Sequence, residues 1–205
     1  MSNPNTVHED ISYMRRLVEQ GRSGTILGGA FLAAAGIVFG ITCFVQTAAQ
    51  QGLLAISDRE MYWLWGGVST VYLVVVWPVV YFRVRSQGRA GSNASNAVFG
   101  IAWIANAVGV LMAYGTTLVV TSATKTPIVL TSFVPMIFTF YGIAWGLSGL
   151  MARRHWMYAP AVASFVMAFV MAVLTATPYQ VPVMGAALIV LLTLPGFKLM
   201  SEEPK

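Results

Sequence analysis

The positions of the charged residues constrain this chain more than any other feature of its sequence. All twelve Lys and Arg residues lie between, or at the ends of, six long apolar stretches, and no ionisable acid, base or histidine lies deep inside one. An apolar stretch of about 20 residues is long enough to cross the hydrocarbon core of a bilayer as a helix. The sequence therefore predicts an all-α, polytopic membrane protein. The six predicted transmembrane helices cover residues 25–46, 60–82, 96–120, 127–150, 156–176 and 179–199.

The basic residues also predict the orientation of the spans. Lys and Arg in short loops are retained on the cytoplasmic side of a membrane. Two basic residues, Arg59 and Lys125, fall on one side of the six-span arrangement, and ten fall on the other. The ten are Arg15, Arg16, Arg22, Arg83, Arg85, Arg89, Arg153, Arg154, Lys198 and Lys205. This imbalance predicts that both termini are cytoplasmic (N-in/C-in). The net charge of +5 then follows from topology, and it does not indicate nucleic-acid binding.

A short amphipathic helix is predicted before the first span, over residues 6–21. Thr6 and Glu9 have the spacing of a capping box, and Gly21 suits the end of a helix. The sequence thus divides into a cytoplasmic amphipathic helix (1–23), a transmembrane domain (24–200) and a cytoplasmic tail (201–205). The helix either lies at the membrane interface, packs beneath the bundle, or docks a protein partner.

Several spans carry small residues at the spacing of one helix face. Such rows allow the backbones of membrane helices to approach closely. The rows are Gly29, Ala33, Gly36 and Gly40 in the first span, Ala105, Gly109 and Ala113 in the third, and Gly142, Gly146 and Gly149 in the fourth. These rows predict contacts within the bundle or between copies of the chain.

Local signals predict details of two spans. Ser57 and Glu60 form a capping box that should begin the second span. Pro78 and Pro135 each lack an amide hydrogen, so each leaves a carbonyl one turn earlier without its helical partner. In the fourth span we expect nearby hydroxyl groups to bond to the carbonyls that Pro135 leaves free.

The sequence contains few groups that could perform chemistry inside a membrane. The two histidines, His8 and His155, flank the membrane, and Cys43 is a lone cysteine with no partner for a disulfide or a metal site. Hydrolase and metal-binding motifs are absent from the sequence. These observations predict a protein that is not an enzyme, with no metal site and no cofactor.

One group of neutral side chains could bind a ligand. Asn106 lies about 15 Å into the third span at a rise of about 1.5 Å per residue, near the membrane midplane. Aromatic residues of three spans lie at similar or slightly shallower depth, and such pockets suit a small neutral or lipophilic ligand. The candidate ligand-binding residues are Trp77, Trp103, Asn106, Tyr141 and Trp145. The alternative is that Asn106 makes an interhelical hydrogen bond and that the tryptophans are interfacial belt residues.

Four segments carry a resemblance to known membrane proteins. They are Tyr141-Gly-Ile-Ala-Trp145, Arg153-Arg154-His-Trp156, Pro195-Gly-Phe-Lys-Leu-Met200 and Glu9-Asp10-Ile-Ser-Tyr-Met-Arg15-Arg16. With these, the chain resembles small six-helix inner-membrane proteins of proteobacteria, and its hairpin layout is similar to that of the acid-stress-associated HdeD-type membrane proteins. The resemblance implies a multi-pass protein of the bacterial inner membrane, and it transfers no catalytic residue.

The sequence leaves two functional hypotheses. The first is a non-enzymatic inner-membrane protein with an accessory, regulatory or stress-related role. It would act through helix packing, as a homo-oligomer or with a membrane-protein partner, among membrane lipids. The alternative is a carrier, channel or binding protein for a small neutral or lipophilic molecule.

Overall fold

The computed structural model describes residues 28–76, 78–79, 81–82, 94–126 and 128–202. These residues are mostly helical and include no β-strand, which confirms the all-α prediction. The helices in chain order are α1 (Gly29–Gln50), α2 (Asp58–Val71), α3 (Ala94–Thr124), α4 (Ile128–Thr131 followed by Phe133–Ala152), α5 (Tyr158–Val173) and α6 (Gln180–Ser201).

Among the described residues, five helices are long and apolar enough to cross a membrane, namely α1, α3, α4, α5 and α6. The other predicted span, 60–82, corresponds to α2 and the helical residues after it. It includes residues 77 and 80, which lie outside the described ranges. The predicted amphipathic helix over 6–21 also lies outside them. The prediction of a membrane location is therefore supported by five of the six spans.

The start of α1 and the end of α6 meet at one end of the bundle. An ideal Cβ on Gly29 would lie 2.8 Å from the backbone nitrogen of Met200. The loop after α4 reaches the same place, because Arg154 forms an ion pair with Glu202. We call this the basic end, since Arg154 and Lys198 lie there.

The row of small residues on α1 packs against α6. An ideal Cβ on Gly36 would lie 2.3 Å from Thr193 Oγ1 and 2.8 Å from the carbonyl oxygen of Leu188. On Gly40 it would lie 2.7 Å from Ile189 Cγ1. Side chains larger than hydrogen at these positions would therefore force the two helices apart.

Glycines of α6 complete the same contact from the other side. An ideal Cβ on Gly196 would lie 2.6 Å from the backbone nitrogen of Ala33, and one on Gly185 would lie 2.8 Å from Cys43 Cβ. Cys43 is fully buried. The seam of α1 is thus occupied by another helix of the same chain.

Helix α4 lies between α3 and α5. Gly109 of α3 faces the ring of Phe140, whose nearest carbon would be 3.0 Å from an ideal Cβ. Gly142 of α4 faces Phe165 of α5 at 2.7 Å. Each glycine therefore accommodates an aromatic ring of the neighbouring helix.

Three other residues of the predicted seams are less tightly packed. Gly146 faces Ala161 of α5 at an ordinary contact distance of 4.0 Å. Ala113 is half-buried, and Ala105 is exposed on the surface of α3. Ala105 therefore makes no close helix contact within the described part of the chain.

Helix α2 begins at the predicted capping box, which is confirmed. Ser57 Oγ accepts a hydrogen bond from the amide of Glu60 at 3.4 Å, and the Glu60 carboxylate accepts one from the amide of Ser57 at 2.8 Å. These bonds satisfy backbone donors that a helix start leaves without partners.

The main contacts of α2 are with α1. The Tyr72 hydroxyl donates a hydrogen bond to the Phe31 carbonyl at 2.9 Å, and Trp65 Nε1 donates one to Gln46 Oε1 at 2.8 Å. Both bonds are partly buried, and they join α1 to α2 and the helical turn after it.

Two helices widen into π-helical turns just before a proline. Residues Tyr72–Val76 precede Pro78, and residues Ile189–Thr193 precede Pro195. A proline ring crowds the carbonyl one turn earlier and supplies no amide hydrogen. The amide of Leu194 accordingly donates to the carbonyl five residues before it instead of four. The prolines therefore set the local widening of both helices.

We expect Gly36→Ala to destabilise the protein by about 1–3 kcal/mol, because the added methyl group meets backbone atoms of α6 that cannot move independently. Thermal unfolding in lipid nanodiscs measures this as a lower midpoint. Gly115→Ala on α3 is the matched control, since an ideal Cβ there meets nothing within 4 Å. Equal effects of the two substitutions would contradict the packing described for α1 and α6.

Candidate functional site at the aromatic cluster

Aromatic side chains from α3, α4 and the turn before α5 form one cluster near the basic end. We call Phe99, Trp103, Tyr141, Trp145 and Trp156 the aromatic cluster. The ring of Trp103 lies edge-to-face with Trp145, with centroids 5.2 Å apart, and 5.9 Å from the rings of both Phe99 and Tyr141. Trp156 lies 6.1 Å from Trp145 on the other side.

The structure therefore brings together most of the residues that the sequence analysis proposed as a ligand site. Trp103, Tyr141 and Trp145 are in ring contact, and Asn106 follows Trp103 by one turn on the same helix. Trp77 lies outside the described residues.

Sequence reasoning missed two members of the aromatic cluster. Phe99 lies one helical turn before Trp103, and this spacing could have found it. No sequence signal placed Trp156 there. It lies in a one-turn 3₁₀-helix, His155–Met157, that reverses the chain between α4 and α5.

Burial in the cluster is deepest at Trp145, which is fully buried, while Trp103, Tyr141 and Trp156 are half-buried. The Lys198 ammonium lies 4.4 Å above the centre of the Trp156 ring. A cation over an indole face is attracted by the electrons of the ring. Lys198 therefore closes the cluster at the basic end.

The buried indole of Trp145 joins α4 to α6. Its Nε1 donates a hydrogen bond to the Leu191 carbonyl at 3.2 Å. Pro195 stands one helical turn after Leu191 and has no amide hydrogen to offer that carbonyl. A side chain of α4 thus satisfies a carbonyl that a proline of α6 leaves free.

The reverse arrangement occurs near the other end of the same two helices. Gln180 of α6 donates from Nε2 to the Thr131 carbonyl at 3.2 Å, and Thr131 stands one turn before Pro135. Helix α4 is interrupted beside it, at Ser132. We expected hydroxyl groups of this span to bond to the freed carbonyl. The structure shows a buried amide from another helix, because Gln180 reaches across the interface.

Four buried side-chain atoms in the described part of the chain have no hydrogen-bond partner: Trp103 Nε1, Asn106 Oδ1, Thr121 Oγ1 and Trp156 Nε1. Leaving such a group unpaired costs about 1–3 kcal/mol. Trp103 offers a donor, and Asn106, which is only 9% exposed, offers an acceptor one turn away. The site therefore offers one hydrogen-bond donor and one acceptor, both without partners, one helical turn apart.

The chemistry of the aromatic cluster is that of neutral groups. Its members carry indole, phenol and phenyl rings, and Lys198 lies at its edge. The described residues include no group of three or more His, Cys, Asp and Glu that could hold a metal ion. Such groups can bind an uncharged molecule by stacking and by hydrogen bonds, and here the rings of Trp103, Tyr141 and Trp145 pack on one another.

No protein-family model matches the chain, and neither the curated proteins nor the solved structures give a match.

We expect Trp145→Phe to destabilise the protein by about 1–2 kcal/mol or more, because it leaves the Leu191 carbonyl buried without a donor. Adding Pro195→Ala restores an amide hydrogen that can bond to this carbonyl, so the loss should shrink in the double variant. A double-mutant cycle of unfolding free energies measures the coupling between the two positions.

Pro182→Ala is the control for this cycle, since Pro182 lies in the first turn of α6 and leaves no helical carbonyl free. Additive effects of Trp145→Phe and Pro195→Ala would contradict the role assigned to Trp145.

Proposed function

We propose that this chain is a six-span protein of a bacterial inner membrane, with both termini in the cytoplasm, and that it binds a small neutral molecule at the aromatic cluster. Five helices long and apolar enough to cross a membrane support the location. The ten-to-two distribution of basic residues supports the orientation, in which the basic end faces the cytoplasm. The resemblance to small six-helix inner-membrane proteins agrees with this assignment.

The observation that carries the binding proposal is the pair of unpartnered polar atoms on α3. Trp103 Nε1 and Asn106 Oδ1 are buried and adjacent on the helix, and they sit beside aromatic walls. A ligand that supplies an acceptor to Trp103 and a donor to Asn106 would satisfy both atoms. Alcohols and primary amides have both groups on a compact, uncharged frame.

The absence of charge among the cluster side chains favours a neutral ligand over an ionic one. An ion would need a counter-charge, because an unpaired charge in a low-dielectric site is unfavourable by several kcal/mol or more. Indole, phenol and amide groups bind without activating a substrate, so we propose a binding role rather than catalysis.

Asn106→Leu separates this proposal from the alternative that Asn106 joins helices. If Asn106 Oδ1 serves a ligand, the substitution removes an unsatisfied group and raises the unfolding free energy of the ligand-free protein by about 1 kcal/mol. If the asparagine makes an interhelical bond, stability falls by about 0.6 kcal/mol. Thermal or denaturant unfolding in nanodiscs measures the sign of the change.

The same variant tests binding directly. Saturation-transfer NMR with glycerol and with lactamide, two uncharged probes, should show contacts for the wild-type protein in nanodiscs and none for Asn106→Leu. Thr116→Val on the exposed face of α3 should leave the signal unchanged. No signal above empty nanodiscs for either probe with the wild-type protein would overturn the proposal.

A second candidate function is an accessory role through contact with another membrane protein or a second copy. The observation that favours it is on α2, where Gly66 and Gly67 are exposed and an ideal Cβ on either would meet nothing within 4 Å. The seam on α1, in contrast, is occupied by α6, so Gly36 and its neighbours are not available to a partner.

Native mass spectrometry from nanodiscs tests this second candidate. We expect a dimer or a co-purifying partner that is lost in the double variant Gly66→Leu with Gly67→Leu, because two large side chains would prevent close helix contact. Gly100→Leu is the control, as an ideal Cβ at this glycine of α3 also meets nothing within 4 Å. A wild-type protein that is strictly monomeric and free of partners would rule out the accessory role.

A further inference from the structure

Unpartnered polar atoms are concentrated on one face of α3. Three of the four in the described part of the chain belong to this helix: those of Trp103, Asn106 and Thr121. Thr117, only 5% exposed, lies between them. At about 100° per residue, all four side chains project within about 60° of one another. We call these four residues the polar line of α3.

The polar line is nearly as long as a membrane is thick. Trp103 and Thr121 are separated by about 27 Å along the helix at a rise of about 1.5 Å per residue, against a hydrocarbon core of about 30 Å. Trp103 lies toward the basic end, and Thr121 lies toward the opposite end of the bundle. The line therefore begins about 10 Å inside the third span, which starts at residue 96, and runs from there to the end of the bundle opposite the basic end.

Thr121 differs from its neighbours Thr117 and Thr124 on the same helix. A membrane threonine ordinarily donates its hydroxyl hydrogen to a carbonyl three or four residues earlier. Thr117 does so to Tyr114 at 2.9 Å, and Thr124 does so to Val120 at 2.8 Å. The Thr121 hydroxyl is buried and makes no such bond, so it is available to another molecule.

The polar line is covered by α4 in this structure. Phe140 packs on Gly109 between Asn106 and Thr117, and Tyr114 is in ring contact with Phe133, with centroids 5.2 Å apart. A molecule could reach the line only if α3 and α4 moved apart.

Of the two helices, α3 is the one that can move more easily. Only 17% of its most apolar stretch is buried inside the bundle, against 28% for α4. Helix α4 is held to α6 by the bonds of Trp145 and Gln180, and it also packs on α5. Movement of α3 against a fixed α4 would break few described polar contacts.

We propose that the polar line of α3 is a path across the membrane, along which a small uncharged, hydrogen-bonding solute passes between Asn106 and Thr121. This inference rests on the proposed binding at Asn106 and extends it from binding to transport. Trp103 and Asn106 bind the solute at the aromatic cluster, about 10–15 Å into the span from the basic end, and Thr117 and Thr121 bind it toward the opposite side. Phe140 blocks the path until α3 shifts, so the protein is a carrier rather than an open pore.

Solute flux into proteoliposomes tests the transport step. Stopped-flow light scattering with glycerol and lactamide should show faster entry into liposomes that contain the wild-type protein than into empty liposomes. Thr121→Val replaces the hydroxyl by a methyl group of similar size, and we expect it to reduce the protein-dependent rate at least five-fold. Thr121→Ser retains a hydroxyl, so the protein-dependent rate should be close to that of the wild-type protein. Thr116→Val should leave this rate unchanged.

Binding and transport fail separately in this design. Thr121→Val should leave the NMR signal of the probes intact, because Trp103 and Asn106 are unaltered, whereas Asn106→Leu should remove both signal and flux. Two results would overturn the carrier inference and leave the binding site standing. One is a wild-type protein that binds the probes but adds no flux. The other is a Thr121→Val variant that transports at the wild-type rate with an unchanged unfolding midpoint. If no probe binds, the proposed function itself fails.

Discussion

The pair of hydrogen bonds between α4 and α6 is the interaction on which the arrangement of this bundle depends. A membrane interior offers no water to a backbone carbonyl that has lost its helical partner, so another part of the protein must supply a donor. Trp145 and Gln180 do this reciprocally, each reaching a carbonyl that a proline of the other helix leaves free. Because α6 also packs tightly on α1, and α4 on α3 and α5, these two bonds, together with the contacts of α5 with α6, join the two halves of the bundle.

The position of the aromatic cluster follows from this connection. Trp145 must be buried and oriented to reach Leu191, and Trp103 then packs on it edge-to-face. The indole nitrogen of Trp103 and the amide oxygen of Asn106 are left without partners. One tryptophan therefore joins two helices by a hydrogen bond, while its neighbour retains an unpartnered donor.

How much of this could be predicted from the sequence differs between residues. The capping box of Ser57 and Glu60 was predictable because both partners lie within one turn. The burial of Cys43 and the contact face of Gly36 were predictable because hydropathy and small-residue spacing are local properties. The proximity of Trp103, Tyr141 and Trp145 was predictable from depth, since successive spans that run in opposite directions place these residues at similar heights. The partners of Gln180 and the packing of Trp156 were not, because each depends on residues far away in the chain.

The sequence by itself determined the helical class, the apolar spans and the absence of ionisable groups from their interiors, because lipid imposes these requirements on every residue of a span. Only the tertiary structure decided that the glycines of α1 pack on α6 instead of a second copy, and that Ala105 remains on the surface. It alone showed that the Thr121 hydroxyl has no partner. Apolar helix faces are nearly equivalent in lipid, so close packing and a few hydrogen bonds decide which face contacts another helix. These interactions exist only when all the helices are in place.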